Sequence, residues 1–141
     1  MAVLKEEDRK KLEEVFGTLR EPVTIVMFTQ EMECQFCSMT RTLLEEVAAL
    51  SGKLSLEVHD FVAEADLAAQ YGVDKIPATI LRGDEDYGLR FYGVPSGYEF
   101  TTLIQDIIDV GKRSSGLDEK VKAELAGIDR PVHLQVIIAP T

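Results

Sequence analysis

The sequence predicts an α/β fold, a central mixed β-sheet flanked by helices, and three observations carry that prediction. The first is an apolar, β-prone run, Val23-Thr24-Ile25-Val26-Met27-Phe28, opened by Pro22 and followed by residues at helical spacing, Thr40, Leu43, Leu44, Val47 and Leu50. The second is the alternation of helix-like and strand-like stretches that continues from there along the chain. The third is a pair of short β-prone stretches that flank an acidic turn late in the alternation; such a hairpin implies a mixed sheet, not a fully parallel one. At 141 residues the chain is long enough for one domain with a real core.

Taken in order, Leu12, Val15, Phe16 and Leu19 give an amphipathic first helix, and Glu6, Glu7 and Asp8 suit its N-terminal dipole. The strand Pro22–Phe28 follows, then the helix that Ser51-Gly52 stops. Leu54-Ser55-Leu56-Glu57-Val58-His59-Asp60-Phe61 alternates cleanly and reads as a strand. Ala65 to Tyr71 is a short helix closed by Gly72. Pro77-Ala78-Thr79-Ile80-Leu81 is a strand, Gly83-Asp84-Glu85-Asp86 a hairpin-like turn, and Leu89-Arg90-Phe91-Tyr92 its partner. Phe100, Leu103, Ile104, Ile107 and Ile108 form one stripe of a further helix.

Gly111-Lys112-Arg113-Ser114-Ser115-Gly116 reads as a linker by composition. Beyond it, Leu117, Val121, Leu125 and Ile128 mark an amphipathic helix, and Pro131-Val132-His133-Leu134-Gln135-Val136-Ile137-Ile138 a strand. This repeats the beginning of the chain: an acidic-led helix, a short link, Pro-Val, an apolar strand. The offset between Pro22 and Pro131 places a counterpart of Cys34 just past Thr141. The expected organisation is therefore a domain over residues 1–112, followed over 113–141 by a linker, a helix and the first strand of an incomplete second unit. A lone apolar strand must be paired or covered. Addition to its own unit's sheet, or to that of a neighbouring copy to give a homodimer, is one expected outcome, but truncation of a two-unit protein is the reading the offset favours.

The chemistry lies in Cys34-Gln35-Phe36-Cys37, where the apolar strand gives way to the helix. Unpaired N–H groups at a helix start favour an anion and lower a thiol's pKa, which makes Cys34 the attacking thiolate. Cys37, three residues on, faces the same side of the first turn and closes the disulfide as the resolving thiol. Glu31 and Glu33 oppose thiolate formation, so the disulfide is expected not to be strongly oxidising. Whether Lys75 and Arg41 offset those carboxylates is open at this level. A zinc site needs more ligands than two cysteines, and His59 and His133 sit in alternating strands, so no metal is expected. A strand-opening proline such as Pro77, after Ile76, is ordinarily just a cap or an edge feature.

A net charge of −10 offers no basic footprint for nucleic acid, and no apolar run is long enough to span a membrane. Met1-Ala2-Val3-Leu4-Lys5-Glu6-Glu7-Asp8 lacks a signal peptide's charge order, which points to the cytoplasm. Two cysteines exclude a multi-bridge scaffold, and one C-x-x-C in a cytosolic β/α setting points to redox chemistry.

The chain resembles the N-terminal thioredoxin-like unit of the protein disulfide oxidoreductases of thermophiles, also called glutaredoxin-like proteins. Four segments carry the resemblance in order: Cys34-Gln35-Phe36-Cys37, Lys75-Ile76-Pro77-Ala78-Thr79, Tyr92-Gly93-Val94-Pro95-Ser96-Gly97-Tyr98-Glu99-Phe100, and Val136-Ile137-Ile138-Ala139-Pro140-Thr141. It implies a thioredoxin-like fold with an extra N-terminal helix. It also implies Cys34 and Cys37 as the catalytic pair, Gln35 and Phe36 as the loop between them, and Ile76 with a cis Pro77 as the substrate-binding edge. The redox-active disulfide would serve without a further cofactor. Partners would be protein disulfides and dithiols, with a thioredoxin reductase as the electron donor of some members. The departure from the family is the absence of a second C-x-x-C.

Three functions compete. The first is dithiol–disulfide exchange on proteins. The second is a non-catalytic docking half of a two-unit oxidoreductase. The third is a glutathione-dependent glutaredoxin or iron–sulfur scaffold, ranked lower because Glu31 and Glu33 poorly suit an anionic tripeptide.

Overall fold

In the computed structural model, residues 2–139 are described; Pro140 and Thr141, which close the last segment of the resemblance, lie outside them. The elements run α1 (Glu6–Phe16), β1 (Val23–Thr29), α2 (Cys37–Ala48), β2 (Leu54–Asp60), α3 (Ala65–Gln70), β3 (Ala78–Arg82), β4 (Asp86–Tyr92), α4 (Tyr98–Lys112) and α5 (Glu119–Leu125). The sheet order is β2-β1-β3-β4, with β1 parallel to β2 and antiparallel to β3, and β3 antiparallel to β4. The mixed sheet that the late hairpin implied is present.

Alternation along β1 divides the core. Val23, Ile25 and Met27 join Phe16 of α1, Leu43, Leu44 and Val47 of α2, and Leu103, Ile107 and Val110 of α4 in one apolar cluster. Val26 and Phe28 face the other way and pack with Ala78, Ile80 and, from α3 and its exit, Ala68 and Val73. A period of two in the strand thus places α1, α2 and α4 on one face and α3 on the other. β1 is buried on both faces, which is why it reads as a continuous apolar run.

Several boundaries differ from the sequence reading, each for a physical reason. Helix α2 begins at Cys37, leaving Cys34 in the preceding turn. Glu33 takes the left-handed conformation there (φ 58°), where the chain leaves β1. Strand β4 starts at Asp86, inside the expected acidic turn, because Asp86 pairs with Arg82 in the ladder; Arg90 also donates two hydrogen bonds of 2.9 and 2.6 Å to the Asp86 carboxylate. Gly111 belongs to α4 and not to a linker. It is buried, and a Cβ there would lie 2.4 Å from Leu19 Cδ2, so glycine permits the close approach of α4 to the segment after α1.

Arg113 ends α4 in the left-handed conformation. Helix α5 forms, with the Asp118 carboxylate accepting a 3.1 Å hydrogen bond from the Val121 amide. The strand expected over Pro131–Ile138, the first strand of the expected second unit, does not form. Residues 131–139 carry no regular secondary structure, because a strand exists only with a ladder partner and none of the four described strands pairs with them.

Candidate functional site

Strand register brings three connections to one end of the sheet. Phe28 lies opposite Ala78, so the chain leaves β1 for the cysteine motif just where Pro77 enters β3. Ala78 is in turn opposite Tyr92, which puts the turn beginning at Gly93 at the same end. A 2.9 Å hydrogen bond from the Gly93 amide to the Pro77 carbonyl ties the last two connections together. Gly93 has φ 89°, a conformation that a side chain would strain. The Ile76–Pro77 peptide bond is cis.

Cys34 and Cys37 form a disulfide, with Cα atoms 5.5 Å apart. The two sulfurs differ in environment. Cys37, at the first turn of α2, is only 2% exposed, whereas Cys34 is partly open to solvent. The Phe36 carbonyl accepts hydrogen bonds from the Thr40 amide (3.1 Å) and hydroxyl (2.8 Å), which anchors the motif loop on the helix it precedes. Phe36, Met39 and Met32 are exposed large apolar side chains of the motif region.

The charges left open by the sequence now have places. Arg41 bonds Glu45 one turn along α2 at 2.9 Å, and Lys75 bonds Asp74 at 2.9 Å while lying 5.1 Å from the centre of the Tyr92 ring. Among the described residues neither cation pairs with Glu31 or Glu33. The Lys75–Asp74 hydrogen bond raises the ammonium pKa and is the largest cause lowering the carboxyl's. Burial pushes the Glu99 carboxyl above its usual range.

A groove of about 340 Å³ runs beside the motif, walled by Phe36, Met39, Tyr92, Val94, Glu99 and, from far along the chain, Ile138. A second cavity of about 340 Å³, between β4 and the C-terminal end of α4, includes Tyr87, Asp106 and Asp109. It lies at the opposite end of the sheet. Among the described residues no group of three His, Cys, Asp or Glu side chains is placed to hold a metal ion. His59 instead bonds Glu64 at 3.0 Å and packs on Phe28.

Strand register therefore places the connections that carry Cys34, Gln35, Phe36 and Cys37, and Ile76 and Pro77, at the same end of the sheet. Sequence reasoning passed over Met39, Glu99 and Ile138 as parts of one groove. Met39 is an apolar residue on the exposed side of α2, between Ser38 and Arg41, which is a signal the sequence does contain. Nothing local in the sequence marks Ile138.

Comparison with known proteins agrees with the geometry on the class: a thioredoxin-like unit. No family model matches the chain. A probable thioredoxin of Methanothermobacter thermautotrophicus is 31% identical over 85 residues, covering 60% of this chain and 94% of that protein. The chain belongs to the thioredoxin family. An NADH dehydrogenase of Bacillus subtilis is 30% identical over 99 residues, covering 70% of this chain but only 17% of that protein's length. A solved protein disulfide oxidoreductase from Aeropyrum pernix shares the fold with a TM-score of 0.79 at 24% identity, covering 89% of this chain and 56% of that one. The chain thus spans under a fifth of the NADH dehydrogenase's length and just over half of the solved structure. Among the described residues no helix is long and apolar enough to cross a membrane.

Proposed function

We propose that the protein reduces or oxidises disulfides of other proteins through Cys34 and Cys37. One observation carries the proposal: the disulfide joins a partly exposed sulfur to a buried one at the sheet end that also presents the Ile76–Pro77 edge. In the reducing direction, the Cys34 thiolate attacks one sulfur of a substrate disulfide and expels the other as a thiolate. The Cys37 thiolate then attacks Cys34, forming the intramolecular disulfide and releasing the second substrate sulfur. Two electrons pass to the substrate, and its two thiolates take up protons. A dithiol or a thioredoxin reductase returns the pair to the reduced state.

The Ile76 amide and carbonyl make no backbone hydrogen bond outside the strands among the described residues, which leaves an edge for an extended substrate. Exposed Met32, Phe36 and Met39 suit protein surfaces, whereas uncompensated Glu31 and Glu33 disfavour glutathione. The resemblance supports three further parts of the proposal: residues 113–141 as the entry to a second unit, a cytoplasmic location and a thermophilic host. Pairing of the 131–138 segment between two copies is the dimeric alternative.

The test is a pair of serine variants with insulin as substrate and dithiothreitol as donor. Cys34→Ser is expected to abolish exchange, and Cys37→Ser to accumulate mixed disulfides visible by non-reducing electrophoresis, since attack survives and resolution does not. Mixed disulfides on Cys34→Ser instead would reverse the roles. Catalysis surviving loss of both thiols would end the proposal.

A further inference from the structure

Ile138 is over a hundred residues from the cysteine motif in sequence, yet it helps wall the groove that Phe36 and Met39 open beside the disulfide. Its neighbours do nothing comparable. Leu134, Val136 and Ile137 are 86%, 83% and 94% exposed, while Ile138 is 49% exposed. One aliphatic side chain of an apolar segment is thus seated and the rest are left in water.

Two properties make this seat displaceable. Residues 131–139 make no backbone-to-backbone hydrogen bonds among the described residues, so side-chain contact alone holds them. Their sequence, Pro-Val-His-Leu-Gln-Val-Ile-Ile-Ala, carries no acidic group, which suits a groove lined by Glu99.

We infer that segment Pro131–Ala139, wherever it is not paired in the sheet of a second unit, is an intrachain strap whose Ile138 occupies the position that an aliphatic side chain of an incoming protein substrate must take, so that substrate and strap compete for the groove. The inference rests on the proposed function for what enters the groove, but not for the strap's own seat. An extended segment with an aliphatic residue near its cystine is the substrate chemistry it selects. Half-burial of one isoleucine corresponds to roughly a fivefold competition.

The test uses the full chain with labelled methionine and valine methyl groups. Ile138→Asp is expected to shift the Met39 and Val94 methyl resonances, and Leu134→Asp, at an exposed neighbour, to leave them in place. With insulin as substrate, Ile138→Asp should lower KM about fivefold, and a bulky maleimide should label reduced Cys34 faster. An unmoved Met39 methyl, or an unchanged or raised KM, overturns the strap. A chain that reduces no protein disulfide, yet shows the methyl shift and the faster labelling, keeps the strap and overturns the functional reading.

Discussion

Reduction of the Cys34–Cys37 disulfide is the perturbation that most directly separates a reductant from an oxidant. The bond joins residues only three apart in sequence, so it closes a very short loop. In the chain-entropy account such a loop removes little freedom from the unfolded chain, and the oxidised protein is favoured by about 2 kcal/mol. A strongly oxidising disulfide requires a counterweight of larger size, a thiolate that the folded protein stabilises. The structure weakens that counterweight in two ways. Cys34 lies outside α2, two residues before its N-cap Phe36, and the helix-end field falls off within a turn. Glu31 and Glu33 stand exposed beside it, with Arg41 and Lys75 engaged elsewhere. The oxidised form should therefore remain the more stable, by about 2 kcal/mol or somewhat less. By linkage the folded couple would lie roughly 40 mV below that of the unfolded chain. Thermal melts with and without dithiothreitol provide the assay, and for a chain of this size the reduced form should melt about 5–8 °C lower. A reduced form that melts higher would refute the reasoning, because a stabilised thiolate would then outweigh both the loop term and the carboxylates.

The elements whose burial is one-sided or complete were legible in the sequence. β1 is buried on both faces and reads as an apolar run; β2 shows its alternation; the stripe Phe100–Ile108 turns one side of α4 to the core. What the sequence concealed depends on partners distant along the chain. Gly111 has the composition of a linker, and only Leu19, packed against it, shows that it serves a helix contact. Asp86 looks like turn and becomes strand because Arg82, across the ladder, pairs with it. Pro131–Ile138 has the pattern of β1, but pattern supplies no ladder, and the segment forms none among the described residues. The site divides along the same line. Cys34-Gln35-Phe36-Cys37 is a local motif and was visible. Its groove needs Met39 from α2, Glu99 from α4 and Ile138 from the segment beyond α5, and no spacing rule connects those three.

Three further outcomes test the packing and electrostatics that hold this arrangement. Gly111→Ala should destabilise the protein by about 1 kcal/mol in urea titrations: overpacking against buried Leu19 costs about 1–3 kcal/mol, partly offset by alanine's better helix propensity. Equal or greater stability would mean that Leu19 yields freely. Thr79→Val should gain about 1 kcal/mol, because the Thr79 hydroxyl is fully buried without a partner among the described residues and valine keeps its shape; a loss would reveal a partner such as a bound water. Asp106 gives the pH-dependent case. It lines the cavity between β4 and α4, and burial first, then the neighbouring Asp109, pushes its carboxyl above the usual range. The folded state therefore holds this proton more tightly than the unfolded chain does. The corresponding stability is fully present below the unfolded carboxylate range, near pH 4, and is lost as pH rises through the raised folded value. Asparagine imitates the protonated form at every pH. Asp106→Asn should thus be more stable than the parent at about pH 7, by a few tenths of a kcal/mol given how much of the side chain remains screened by water, and the two should converge at about pH 3. Parallel stability curves across that range, or a variant less stable at neutral pH, would show that Asp106 enters the folded protein without the cost its burial assigns it.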